Sequence, residues 1–464
     1  MNNRVIAFGL FALAVAFGEG KRDLSLFTAI DFGRLENGYD MIKKYDPSGL
    51  ALNRTYVNVG FNEELEGNYL LSVGVGGIFW KAFEGDGGGP ADKVIKFGPG
   101  ISNAFMKWSP SEQWNLTFGY FPYRYNEAAR NLGEYLFRSE AYPTIIYTGG
   151  WSWMNDIGYN TVGAKLTWNL AEGRFRQDLG LFGEYFNSPI YDITPAYIAT
   201  FKPIKGLTYG GAVSLHRFIS PTPKVKQELT KSYVYYENFY FPAVAADSAV
   251  GVTGSPEQRV TMLKSDIDLK IGQLGGDSAT YYGNANNAGK RPQTVAFDLA
   301  AVMAMAFFEL DFNGLLGLDE SALGKFNLYG EVAQLGFKNY PIFYTDMAQR
   351  RPVMLGASLP TFGLLKHLSF ELEYLQNPNI ESIASTYDKL DLPPDENFRY
   401  RVFTRDDYKW SINAARSFSE FLSIHVQVAN DHIRLKDGFA RPQYIPVTQE
   451  PGHWYWLTRI QWMI

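Results

Sequence analysis

Six segments of this chain alternate between apolar and polar residues, and the apolar set carries no charge in any of them. In LSLFTAIDF, Leu24, Leu26, Thr28, Ile30 and Phe32 share one parity, against Ser25, Phe27, Ala29 and Asp31. NYLLSVGVGG sets Tyr69, Leu71, Val73 and Val75 against Asn68, Leu70, Ser72 and Gly74, and QWNLTFGY sets Trp114, Leu116, Phe118 and Tyr120 against Asn115, Thr117 and Gly119. TVGAKLTWN, LSFELEY and FLSIHVQVAND repeat the pattern, with Lys165, Glu371, Glu373, His425 and Asp431 on the polar side. Successive side chains of a strand point to opposite faces, so each segment is read as a strand with one greasy face and one polar face. The last dozen residues, HWYWLTRIQWMI, do the same. Trp454, Trp456, Thr458, Ile460, Trp462 and Ile464 share one parity, and His453, Tyr455, Leu457, Arg459, Gln461 and Met463 the other. Two packed sheets hide their apolar faces in the same way. Alternation alone therefore leaves open a soluble sandwich and a wall bathed in lipid, where a charge costs roughly 2–4 kcal/mol at the midplane.

After the first twenty residues, no run approaches the ~20 apolar residues that a spanning helix needs. Either the chain is soluble or it crosses a membrane as strands, whose polar half keeps the mean hydropathy low, here -0.19. The opening MNNRVIAFGLFALAVAFGEG has Arg4, an apolar run from Val5 to Ala16 and a small-x-small AVA at Ala14 to Ala16. It reads as an export signal over 1–20, followed by a single domain over 21–464. The formal net charge of -5 argues against nucleic acid as a partner. With no cysteines, disulfides and thiolate metal sites are excluded. The five histidines show no HExxH spacing, and neither GxSxG nor a phosphate loop is present. Nothing points to an enzyme, a metal or a cofactor.

The joints between strands are sorted by length. NEELEG, SPSEQ, LAEGR, PIKG, PTFGLLKH and RSFSE are short and turn-like. Between them lie long segments near 34–54, 81–100, 122–160, 217–293, 338–352, 376–407 and 433–452. NSPIYDIT is a short member of the long set, and about 311–324 is a long member of the short set. Short and long joints thus alternate around about sixteen strands. GLFGEYF and AVMAMAFFEL lack clean alternation, which leaves fourteen or eighteen strands open. Within the longest connection, TKSYVYYENFYFPAV is strand-like and SPEQRVTMLKSDIDLKIG is read as helical.

This layout resembles a Gram-negative outer-membrane porin: a signal, about sixteen amphipathic strands, short periplasmic turns, long outer loops and an aromatic last strand. The resemblance is one of pattern over the mature chain and rests on no diagnostic motif. It departs at the end, where such barrels finish on Phe and this chain finishes on Ile464 after Trp462 and Ile460. It implies a closed antiparallel transmembrane β-barrel whose last strand pairs with LSLFTAIDF, leaving no open edge in hydrocarbon. The implied partners are outer-membrane lipid, the barrel-assembly machinery and small hydrophilic solutes, and a homotrimer stays open. Trp114, Tyr120, Trp168, Trp454, Trp456 and Trp462 are expected at the membrane interfaces.

Porin-like barrels often fold the third outer loop into the lumen. By that resemblance Arg124, Glu127, Arg130, Glu134, Arg138 and Glu140 are constriction candidates, where fixed charge would filter solutes by size and sign. Asn126 to Arg138 reads as a short helix that stacks Arg130, Glu134 and Arg138 on one face; ordinary surface ion pairs on a solvated helix are the alternative. Parity places Asp31, Lys165, Glu331, Glu371, Glu373, His425, Asp431 and Arg459 toward the lumen. Glu371 and Glu373 are either a cation-attracting patch or wall charges bonded to neighbouring strands. Two other functions stay open: a surface barrel whose aromatic outer loops over 217–293 hold a glycan or partner, and a soluble all-β carbohydrate-active protein.

Overall fold

The structure is a computed structural model. It describes residues 21–38, 48–49, 51–80, 96–123, 125–126, 145, 160–184, 191–224, 231–235, 261–262, 293–297, 300–337, 347–376, 406–430 and 452–464. In chain order the strands are β1 (Lys21–Asn37), β2 (Ala51–Leu65), β3 (Tyr69–Trp80), β4 (Lys96–Trp108), β5 (Trp114–Pro122), β6 (Asn160–Leu170), β7 (Phe175–Gly183), β8 (Ile193–Ile204) and β9 (Leu207–His216). They continue as β10 (Lys231–Tyr235), β11 (Thr261–Met262), β12 (Gln293–Phe297), β13 (Ala301–Asp311), β14 (Asn327–Gln334), β15 (Val353–Ser358), β16 (His367–Leu375), β17 (Asp407–Ser417), β18 (Leu422–Ala429) and β19 (Trp454–Met463).

Sixteen of these strands close into one antiparallel barrel, in which each pairs with its barrel neighbour along the chain and β9 passes directly to β13. Closure joins the two ends. Ile30 stands opposite Ile460, and Asp31 opposite Arg459. The Leu26 amide donates to the Ile464 carbonyl at 2.7 Å, and the Ile464 amide donates back to Leu26 at 2.9 Å. No sheet edge is left within the barrel, as hydrocarbon requires.

The distribution of side chains is the reverse of a soluble protein. Leu24, Ile30, Leu179, Leu181, Leu355, Phe370, Leu372 and Ile412 are exposed, while Asp31, Arg54, Lys165, Asp178, Glu331, Glu371, Glu373, Lys409 and Arg459 are buried. The two sets occupy opposite parities of their strands. In water, apolar faces out and charges in would be unstable; in hydrocarbon it is the stable order. A two-sheet sandwich is thereby overturned. At the short-turn rim a charged pair occurs on the outer parity: Arg22 pairs with Glu63, two residues before the end of β2, at 2.8 Å. A ring of aromatic residues also marks the short-turn rim. Tyr69 stacks on Trp108 with centroids 6.0 Å apart, Trp114 on Trp168 at 4.6 Å, and Phe201 meets Tyr209 edge-on at 5.4 Å.

Two expectations change. The long member of the short-joint set is a compact capped turn. Within it, α1 (Phe312–Leu316) is capped by Asp311 and α2 (Glu320–Leu323) by Asp319, and the Asn313 side chain ties both ends of the turn together. In the longest connection, β10 is a strand as the sequence suggests. The helical reading of SPEQRVTMLKSDIDLKIG fails at Thr261–Met262, which pair with Tyr235 and Val234 as β11. With β12 they form a separate three-stranded sheet, where β-branched and aromatic residues satisfy their backbone groups across strands.

Candidate functional site

The candidate site is the barrel interior, and its wall has two unlike halves. One runs from β15 through β19 and β1 to β4 and is polar. Asp31 receives two parallel hydrogen bonds from Arg459, at 2.7 and 2.8 Å, and pairs with Arg54 at 3.1 Å. Both guanidinium groups lie over the Tyr56 ring, with 5.0 and 4.9 Å to its centre. Two guanidinium groups, from β19 and β2, thus share the one carboxylate on β1. Further round, Tyr329 donates its hydroxyl to Glu371 at 2.7 Å. The bond links β14 to β16 across β15, because Gly356 sits directly between them in register. A Cβ at Gly356 would collide with the Tyr329 ring, so only glycine lets that ring lie flat on the wall. Glu373 stands opposite Lys409, and Gln427 donates to the Tyr455 hydroxyl at 2.8 Å.

The other stretch, from β7 to β14, carries an apolar patch on its inner face among buried polar groups such as Asp178, Ser214, His216 and Glu331. Phe182, Ala196, Ile198, Ala212, Met303, Met305, Phe307 and Ala333 form one buried cluster with Phe121, Tyr123 and Ile145. The last two belong to the third long connection, which leaves β5 at Pro122. Tyr123 stacks on Phe182 at 5.6 Å, Tyr125 tilts against Phe307 at 6.3 Å, and the Asn126 amide donates to Glu331 on β14 at 2.6 Å. Six strand steps separate β5 from β14 around the wall, roughly 29 Å at ~4.8 Å each. Four residues reach at most about 14 Å. The connection therefore starts across the interior instead of following the rim. This explains the two segments without alternation. GLFGEYF supplies Phe182, and AVMAMAFFEL supplies Met303, Met305 and Phe307, which face inward but meet protein instead of water. Gly210, opposite Phe307 in register, leaves room for that ring.

At the rim with the long connections, Arg217 is fully buried between Glu184 at 3.4 Å and Asp192 at 3.9 Å, and Ser220 also donates to Asp192 at 2.5 Å. This knot ties the β7–β8 joint to the chain leaving β9.

Of the residues singled out in sequence, Asp31, Lys165, Glu331, Glu371, Glu373 and Arg459 are buried on the inner parity, and His425 is half-buried beside Ser423. Asp431 lies outside the described residues, as do all six constriction candidates, Arg124, Glu127, Arg130, Glu134, Arg138 and Glu140. Of the interface aromatics, Trp114, Trp168 and Trp462 sit at the short-turn end, and Tyr120, Trp454 and Trp456 toward the long connections. The Trp456 indole donates to Glu36 at 2.9 Å. Sequence reasoning missed Arg54, which lies in a stretch read as loop, and Arg176 and Asp178, which stand just before the GLFGEYF segment that does not alternate. It also missed Tyr123, Tyr125 and Asn126 as anchors. The signal for them was that same loss of alternation.

Sixteen antiparallel strands, full closure, an apolar outer face and a charged interior entered by the third long connection define a closed antiparallel β-barrel with a polar inside and an apolar outside. No protein-family model matches the chain, and no curated protein does. Similar solved structures include Pseudomonas putida OprB at high pH, with TM-score 0.48 and 9% identity over 96% of this chain and 94% of that one. A mutant Rh. blastica porin gives TM-score 0.42 and 7% identity over 96% and 100%. Salmonella typhi OmpF in complex with daunomycin gives 0.44 and 10% over 96% and 98%.

Proposed function

We propose that this protein is an outer-membrane channel for passive diffusion of small hydrophilic solutes, delivered by the signal at 1–20 and narrowed by its third long connection. The supporting observation is the reversed distribution of side chains, with apolar rows outside and charges inside a closed barrel of a size that can hold water. The connection carries Arg124 among the anchors Tyr123, Tyr125 and Asn126, and Glu127, Arg130, Glu134, Arg138 and Glu140 after them, so these charges are the proposed filter. The inner wall carries both signs. In a planar bilayer the purified protein is expected to give stepwise ion conductance, and Asn126→Ala, which frees the connection from Glu331, is expected to raise the unitary step. A folded but silent barrel would rule out an open pore.

One observation favours a second reading. The longest connection carries its own sheet of β10, β11 and β12, a scaffold that a plain mouth loop does not require. Surface recognition would use it. Deleting 225–290 should then abolish surface binding while the barrel still assembles; unchanged binding would end that reading.

A further inference from the structure

Where the inward connection leaves β5, the inner wall holds a cavity of about 300 Å³. It lies on the short-turn side of that connection. Its lining comes from the inner parity of four consecutive strands: Phe105 and Lys107 on β4, Asn115, Thr117 and Phe121 on β5, Lys165, Thr167 and Asn169 on β6, and Arg176 on β7, with Pro122 at the edge. Among the described residues, three cations line it and no carboxylate does. Asp178 sits behind two of them, Lys165 and Arg176, and holds them in place. It accepts from Arg176 at 3.0 and 3.3 Å and from the Thr167 hydroxyl at 2.6 Å, and lies 4.0 Å from the Lys165 ammonium. Tyr123, arriving with the inward connection, donates to the same carboxylate at 3.0 Å and lays its ring 4.9 Å from Lys165. One negative charge thus anchors two of three positive ones, and the cavity keeps a surplus of cation.

The walls differ from one another. The cations, the Asn115 and Asn169 amides and the Thr117 hydroxyl supply donors, while Phe105, Phe121 and Pro122 supply an apolar surface. Hydrated inorganic ions have no use for the second surface. A carboxylate on an apolar or ring-bearing body uses both, because donors fix one end and burial stabilises the other. We propose that this cavity binds a small organic anion, its carboxylate against Lys107, Lys165 and Arg176 and its body against Phe105 and Phe121. The proposal deepens the channel reading and rests on it for how solute arrives: an anion passing the inward connection would meet this site before reaching the short-turn mouth.

The test uses the folded full chain in detergent, titrated calorimetrically at constant ionic strength with benzoate, acetate and inorganic phosphate, alongside conductance of the same preparation. Benzoate is expected to bind at one site and more tightly than acetate or phosphate. Lys107→Gln, which removes a cation outside the Asp178 network, is expected to weaken benzoate about tenfold, or ~1.4 kcal/mol. Arg176→Gln is expected to weaken it at least as much, with folding checked by heat-modifiability. Benzoate binding that is undetectable or unchanged in Lys107→Gln would overturn the site. Equal affinity for phosphate and benzoate would overturn the apolar half of the argument. A conducting barrel that binds none of the three sinks the site and leaves the channel; a silent barrel that binds benzoate does the reverse.

Discussion

The two halves of the inner wall are built from the same kind of strand and solve different problems. From β15 round to β4, inward side chains are charged or polar and hold one another in networks that span neighbouring strands, as Arg459, Asp31, Arg54 and Tyr56 do. From β7 to β14 a patch of Phe, Met, Ile and Ala lies among them, covered by the start of the third connection. Alternation of apolar and polar residues is therefore not a property of barrel strands as such. It records what each face meets. Lipid outside and water inside give alternation; lipid outside and protein inside give two apolar faces. AVMAMAFFEL is ambiguous as a sequence for the same reason that it is informative as a wall.

The largest break in that comparison should come from the charged half. Asp31→Ala leaves Arg54 and Arg459 buried side by side without their shared carboxylate, and is expected to destabilise the barrel by about 3–5 kcal/mol. Unfolding of the folded protein in urea, from vesicles or detergent, measures it. A loss below about 1 kcal/mol would mean that the network adds little to the wall. On the apolar half, Met305→Ala removes a buried side chain from beneath the docked connection, at an expected cost of about 2–4 kcal/mol. That loss should be accompanied by a larger unitary conductance, because the connection loses part of its seat. A stability loss with unchanged conductance would separate the seat from the pore. The smallest effect belongs to the rim. Arg22→Ala removes a half-exposed partner of Glu63 and should change stability by about 0–1 kcal/mol.

The fold was legible because strand parity is a local property: a period of two and an uncharged row can be read in nine residues, and turn chemistry marks the joints. The interior was legible only in part. Glu371 and Lys165 lie in segments that alternate, so their face could be assigned without knowing their neighbours. Arg54 falls beyond the end of any clean pattern. Arg176 and Asp178 open a strand whose inner face turns apolar within four residues, at Phe182. Thr261 and Met262 show the opposite error, a helix-like stretch held as strand by β10.

By itself the sequence determined that the chain forms strands with one uncharged face and that their joints are sorted by length, because each of these follows from neighbours along the chain. Only the tertiary structure decided which charges meet and which stretch of wall is dry. Asp31 and Arg459 come together because the barrel shuts between them, and Asn126 reaches Glu331 because its connection crosses the interior. Such contacts join residues hundreds of positions apart, and their energies depend on closure, which no local pattern encodes.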